Sequence, residues 1–133
     1  MTSLVVDASA AVHLTSMSAV PADLERYAWV APPLMWSEAL SALTEATFRG
    51  AIPAASLMSA VERLEALPVE RFAVDAGLRR RSVEIARSLG WAKTYDAEYV
   101  ALAERLACPL LTVDDRLARG AARLVAIVGP GSR

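Results

Sequence analysis

Short apolar runs alternate along the chain with longer stretches whose apolar positions recur every three or four residues. Leu4-Val5-Val6 is apolar without interruption and stops at Asp7, as expected of a strand buried on both faces. Leu110-Leu111-Thr112-Val113 has the same form and stops at Asp114, and residues 124–128 make a third run. Trp29-Val30-Ala31 and residues 69–72 are shorter strand candidates. Helical patterning fills the intervals: residues 8–16, a turn over 23–27, and a helix opened by Pro32-Pro33 that runs to about residue 49 and stops at Gly50. A further helix opens at Pro53 and ends before Pro68. Asp75 caps the next, which Gly90 closes, and Thr94 is the cap candidate for one carrying Tyr95, Tyr99, Leu102 and Leu106 on one face. A short helix over 115–120 follows Asp114, and the tail after residue 128 reads as frayed.

Strands alternating with helices predict an α/β fold with a central parallel sheet of four to five short strands, covered on both faces. The 133 residues, over half of them apolar, suffice for one domain with a core of its own, so residues 1–133 read as a single unit. The start of the chain lacks the basic region and apolar run of a signal peptide, and no stretch is apolar enough to span a bilayer. A lone cysteine, Cys108, forms no internal disulfide and suits a reducing compartment. The expectation is a cytoplasmic protein without membrane attachment.

The net charge of −1 argues against a uniformly basic nucleic-acid binder. The distribution changes that picture. Arg79, Arg80 and Arg81 form a run, followed by Arg87 and Lys93, and Arg116, Arg119 and Arg123 form a second cluster. The run reads first as a solvated helix face and second as a contact for a phosphate backbone.

In open parallel sheets, sites form outside the carboxyl ends of the strands. Asp7 and Asp114 both sit at such ends. Glu38 lies in an apolar helix without a cation on its own face, and Asp96 lies in the first turn of the helix after Thr94. Each has an ordinary explanation. Asp7 and Asp114 can cap the helices that follow them, Asp96 suits the positive end of a helix dipole, and Glu38 suits a solvated face. If they converge, two carboxylates 4 Å apart repel by about 4 kcal/mol at an effective dielectric of about 20. Such a cluster shares protons or holds a cation, and its hard oxygen donors suit Mg2+ or Mn2+.

Four segments, in this order and at these separations, resemble the PIN-domain ribonucleases and, within them, the VapC toxins of toxin–antitoxin pairs. They are Val5-Val6-Asp7-Ala8-Ser9-Ala10, Trp36-Ser37-Glu38-Ala39-Leu40, Tyr95-Asp96-Ala97-Glu98-Tyr99-Val100-Ala101-Leu102-Ala103 and Leu111-Thr112-Val113-Asp114-Asp115-Arg116-Leu117. The resemblance covers essentially the whole chain and implies a PIN-like three-layer α/β/α sandwich. It implies that Asp7, Glu38, Asp96 and Asp114, with Asp7 and Asp96 foremost, surround one or two Mg2+ or Mn2+ ions and that Ser9 and Thr112 support them by hydrogen bonds. Asp115 and Arg116 are further candidates; Asp115 also suits a helix cap, and Arg116 an RNA backbone contact. The implied activity is endoribonucleolytic hydrolysis of RNA, inhibited by a cognate VapB-like antitoxin. The implied assembly is a homodimer, and a heterotetramer or larger with the antitoxin, built on the apolar helices between Pro33 and Leu67. One departure stands out: the family's glutamate helix often carries Asn three residues later, and this chain has Ser41.

Two other classes compete. A phosphatase with an Asp nucleophile usually has a second acid two residues on, where this chain has Ser9. A catalytically degenerate binding module of the same fold sits poorly with acids at all four positions. His13 reads as a surface or core residue of the first helix, Cys108 as packing, and Trp29, Trp36 and Trp91 as core or interface residues before base-stacking ones.

Overall fold

The computed structural model describes residues 1–129. Five short strands, β1 (Ser3–Val6), β2 (Ala28–Ala31), β3 (Val69–Arg71), β4 (Leu110–Leu111) and β5 (Ile127–Val128), form one sheet in the order β3-β2-β1-β4-β5. Every pairing is parallel. The helices are α1 (Ala8–Thr15), α2 (Ala22–Glu25), α3 (Leu34–Phe48), α4 (Leu57–Ala66), α5 (Ala76–Leu89), α6 (Tyr95–Leu106) and α7 (Asp115–Ala121).

The strand order determines the layers. From β1 the chain steps outward to β2 and β3, then returns across the sheet to β4 and β5. Parallel crossovers are right-handed. The outward steps therefore lay α1 to α4 on one face, and the return lays α5 to α7 on the other. The packing agrees: α1, α3 and α4 touch one another, while α5 packs on α6, which lies over β1 and β4. The result is the expected three-layer α/β/α sandwich. Leu4, Val5 and Val6 of the central strand are fully buried, as strands covered on both faces must be.

Capping follows the sequence closely. Asp7, Asp75 and Asp114 precede α1, α5 and α7, and each carboxylate accepts from the backbone N–H three residues on, at 2.8, 2.8 and 3.1 Å. Gly90 ends α5 in the left-handed region at φ 72°.

Several expectations change. Thr94 precedes α6 but makes no side-chain cap; its own backbone is helical, so its hydroxyl does not reach the free N–H groups. Asp96 and Glu98 occupy that first turn instead, where the dipole favours negative charge. The cap of α7 is Asp114, and Asp115 is that helix's exposed first residue. The helix after Pro53 begins as a 3-10 turn, Ala54–Ser56, before α4. The strands expected over 110–113 and 124–128 are shorter, because the turn leaving α7 occupies residues 122–124 and Leu124 N–H still bonds Ala121. The tail expected to fray lies, beyond Gly129, outside the described residues.

Candidate metal centre

The order in which strands are added reverses between β1 and β4: the chain leaves β1 toward one edge, and β4 adjoins β1 on the other side, still parallel to it. Crevices form outside the carboxyl ends at such a switch point. Val6 is in register with Leu111, so Asp7 and the loop after β4 emerge side by side.

A short hydrogen-bond chain fixes this edge. Asp7 Oδ1 accepts from Ser9 Oγ and from Ala10 N–H, both at 2.8 Å. Ser9 Oγ accepts from Val113 N–H at 3.1 Å and lies 3.3 Å from Thr112 Oγ1. Thr112 Oγ1 accepts from Asp114 N–H at 3.0 Å. The hydroxyls of Ser9 and Thr112 thus tie the loop after β1 to the loop after β4. Asp7 is 3% exposed, and burial pushes its carboxyl up to about 6 despite the hydrogen bonds from Thr112, Ala10 and Ser9. The charge on Asp96 pushes it further in the same direction.

Glu38 enters from α3 and Asp96 from the first turn of α6. Both are half-buried, and burial raises both carboxyls. Asp96 is the electrostatic hub. Its charge raises Asp7 and Glu38, and it is itself raised by Asp114. Among the described residues, one cation is in salt-bridge contact with these four acids: Arg116, whose Nη2 lies 3.2 Å from Asp96 Oδ2. The structure therefore brings Asp7, Glu38, Asp96 and Asp114 to one edge, with Ser9, Thr112 and Arg116 beside them. It does not bring Asp115 into a bond with them.

The position of Ser41 has a counterpart in this geometry. Ser41 is exposed, and Glu38 Oε1 is instead held by the phenol of Tyr99, which donates at 2.6 Å. Tyr99 is 1% exposed and sits one helical turn beyond Asp96. Burial and the neighbouring Glu38 raise its phenol far above its ordinary value, so it remains a donor at any working pH. Periodicity counts Tyr99 with the apolar face of α6. The hydroxyl aimed at an acid across the site is a tertiary fact, and only the three-residue spacing from Asp96 hints at it. Glu98 is a second addition: half-buried, raised by burial and partly relieved by Arg79, it adds negative charge against Glu38.

A cavity of about 450 Å3 opens beside the acids, lined by Glu38, Asp96, Arg116, Trp91, Lys93 and Tyr95. Among the described residues, no three acidic, histidine or cysteine side chains already close around a common point. The donor chemistry still fits a hard divalent cation. The donors are carboxylate oxygens throughout, Asp96 is in repulsive range of Asp7, Glu38 and Asp114, and burial disfavours the bare charge on Asp7, Glu38 and Asp96.

The other residues singled out in the sequence lie elsewhere. His13 is exposed on α1. Cys108 is buried, which raises its thiol. Trp29 is buried and donates to Leu24 O, and Trp36 is stacked by Arg71 with the guanidinium 4.6 Å from the ring centre. In the arginine run, Arg81 is engaged by Glu104 and Glu84, and Arg79 bonds Val74 O.

Comparison with known proteins agrees with this geometry. The PIN domain family model matches residues 4–123. Ribonuclease VapC3 of Mycobacterium tuberculosis is 39% identical over 126 residues, covering 87% of this chain and 85% of that protein. In fold, PAE2754 from Pyrobaculum aerophilum superimposes with a TM-score of 0.71 at 21% identity, over 96% of this chain and 90% of that one. VapBC-1 from nontypeable Haemophilus influenzae gives 0.58 at 12% identity, over 98% and 99%. Nucleases of this kind generally depend on a divalent metal. The four acidic segments, the switch-point edge that gathers them and these matches together place the chain in the PIN-domain family, among the VapC-type ribonucleases.

Proposed function

We propose that this chain, as a single domain over residues 1–133, is an endoribonuclease that hydrolyses RNA phosphodiesters as the toxin of a toxin–antitoxin pair. Asp7, Glu38, Asp96 and Asp114 are its ligands for one or two Mg2+ or Mn2+ ions. The observation that carries the reading is four carboxylates gathered at one sheet edge, three of them (Asp7, Glu38 and Asp96) raised by burial and by neighbouring acids, with a single cation in salt-bridge contact among the described residues. Held by these carboxylates, a divalent ion would supply water activation and neutralisation of charge at the phosphate.

The chain's own groups do the positioning. Ser9 and Ala10 N–H fix the Asp7 carboxylate, and Tyr99 fixes Glu38. Thr112 holds the turn that presents Asp114. Arg116, 64% exposed and loosely paired with Asp96, is placed to hold an RNA phosphate. Asp115, exposed at the start of α7, is left out of the proposed ligand set.

The partners follow from the surface and the relatives. Phe48 and Met58, on α3 and α4, are 93% and 65% exposed, more apolar side chain than water favours there. That region suits a homodimer contact and a cognate VapB-like antitoxin, giving a heterotetramer or larger. VapBC-1, with its paired name, matches this chain in fold. No helix among the described residues is long and apolar enough to cross a membrane. The cytoplasm, where RNA and a reduced Cys108 coexist, is the compartment the reading implies.

The test is RNA cleavage by the purified chain, free of any partner, with MgCl2 or MnCl2 and with EDTA. Cleavage that requires the metal supports the reading. Cleavage that persists in EDTA, or no cleavage under any of these conditions, contradicts it.

A further inference from the structure

We propose that the cavity beside the acids is a base-binding subsite, in which Tyr95 and Trp91 take one unstacked nucleobase of single-stranded RNA and Lys93 and Arg116 hold the adjoining phosphates. The inference rests on the ribonuclease reading above.

The cavity has two unlike walls. Glu38 and Asp96 form one, and Trp91, Tyr95, Lys93 and Arg116 form the other. The chain has three Trp, three Tyr and two Phe, so two of its eight aromatic side chains line this one opening. Tyr95 is 50% exposed at the first position of α6. Neither the Tyr95 nor the Lys93 side chain makes a hydrogen bond or ion pair among the described residues. A half-exposed aromatic beside an uncommitted ammonium has no packing role to explain it.

Trp91, in contrast, is held in place. It follows the left-handed Gly90, and its N–H bonds Ala86 O at 2.8 Å. Its six-membered ring lies against Gly120 of α7 so closely that a Cβ at residue 120 would sit 2.7 Å from Cζ2. Glycine inside a helix is unfavourable by about 1 kcal/mol, so this position gives up helix stability to seat the indole. Arg116 lies over the same ring, 5.8 Å from its centre, while also touching Asp96. The platform is therefore fixed before any ligand arrives.

Aromatic faces with flanking cations are how proteins hold unpaired bases, since each base has a π-face and each linkage a negative charge. Tyr95, Asp96 and Glu38 line the same cavity, so a base on Tyr95 brings its neighbouring phosphate to the acids. A duplex keeps its bases stacked inside and cannot enter in this way.

The experiment uses the full chain carrying Asp7→Asn, so that RNA is not consumed. Binding of a labelled mixed-sequence single-stranded RNA decamer is followed by anisotropy and by tryptophan fluorescence, with a blunt RNA duplex alongside. Stacking of one base predicts that Tyr95→Ala weakens decamer binding about five- to a hundredfold, and that Tyr95→Phe stays within about twofold of the parent. Lys93→Ala weakens it less and flattens its salt dependence. In the cleaving protein, Tyr95→Ala raises KM more than it lowers kcat. The subsite is overturned if the parent does not bind the decamer, if Tyr95→Ala binds it as tightly as the parent, or if Tyr95→Phe loses as much as Tyr95→Ala. Wild-type protein that cleaves RNA while Tyr95→Ala binds unchanged removes the subsite alone. Wild-type protein that cleaves no RNA removes the ribonuclease reading, and the decamer titration still decides whether the cavity takes a base.

Discussion

Asp7 and Asp75 look alike in sequence and do the same local task. Each ends an extended segment, caps a helix and accepts from the N–H three residues on at 2.8 Å. Their surroundings drive them in opposite directions. Asp75 is gripped by Arg105 through two hydrogen bonds of 2.8 and 3.0 Å, which hold its carboxyl down to about 2. Beside it, Arg81 meets Glu104 at 2.6 Å and lowers that acid too. On the seam between α5 and α6 these acids have a cation. At the carboxyl edge of β1 and β4, Asp7 is pushed up to about 6 by burial and by Asp96. On the seam each acid has its own cation; at the sheet edge four acids share one exposed arginine, and that excess of negative charge marks a site for an arriving cation.

Substitution tests the two regions against each other. The largest effect belongs to the hub. Asp96→Asn removes a ligand that couples to the other three acids, and a loss of about a thousandfold in kcat is expected, equivalent to about 4 kcal/mol. Circular dichroism and thermal melting of the same variant should show a folded protein.

Next is the stability of the metal-free protein with and without the Asp7 charge. A carboxyl raised in the folded state binds its proton more tightly there than in the unfolded chain. Its contribution is therefore fully present below pH 3.8 and is lost as pH rises through about 6. The gap between those values corresponds to about 3 kcal/mol. Asp7→Asn should match wild type near pH 4 and exceed it by up to about 3 kcal/mol at pH 7, measured by urea unfolding in EDTA. A wild type more stable than Asp7→Asn at pH 7 would show that the Asp7 charge is satisfied after all.

Tyr99→Phe sharpens the contrast from within the site. It removes the phenol that holds Glu38 Oε1 and leaves the packing of the ring. Loss of such support to a metal ligand typically lowers affinity or activity ten- to a hundredfold. The expected outcome is cleavage that needs about ten- to a hundredfold more metal for half-maximal activity, or is slower by that factor, with little change in melting temperature.

The smallest effect lies on the seam. Arg81→Gln breaks pairs whose side chains are a third or more exposed, so it should cost under about 1 kcal/mol, less at high salt, and leave cleavage untouched. Equal losses of activity from Arg81→Gln and Asp96→Asn would erase the distinction between the regions.

What could be read in advance follows the same division. The strands are legible as apolar runs before Asp7 and Asp114, because burial on both faces favours apolar residues at successive positions, as at Leu4-Val5-Val6 and Leu110-Leu111. Their lengths are not, because β4 and β5 end where their neighbours' hydrogen bonds end, and the turn after α7 takes up Leu124. Glu38 and Asp96 were visible as motif residues, but periodicity could not bring them together. Tyr99 was hidden because a buried phenol counts as an apolar position until its hydroxyl is seen on Glu38. The cavity around Trp91 and Tyr95 was hidden for a related reason: it is built by Gly120, which reads as an ordinary helix ending and is in fact the space the indole fills.

The central claim is that the acids at the carboxyl edge are left uncompensated in order to hold a divalent cation. Calorimetric titration of the metal-free protein with Mn2+, wild type against Asp7→Asn at pH 7, tests it most directly. Saturable binding to wild type that is lost in Asp7→Asn is the predicted result. Equal binding by the two proteins, or none by either, would contradict it.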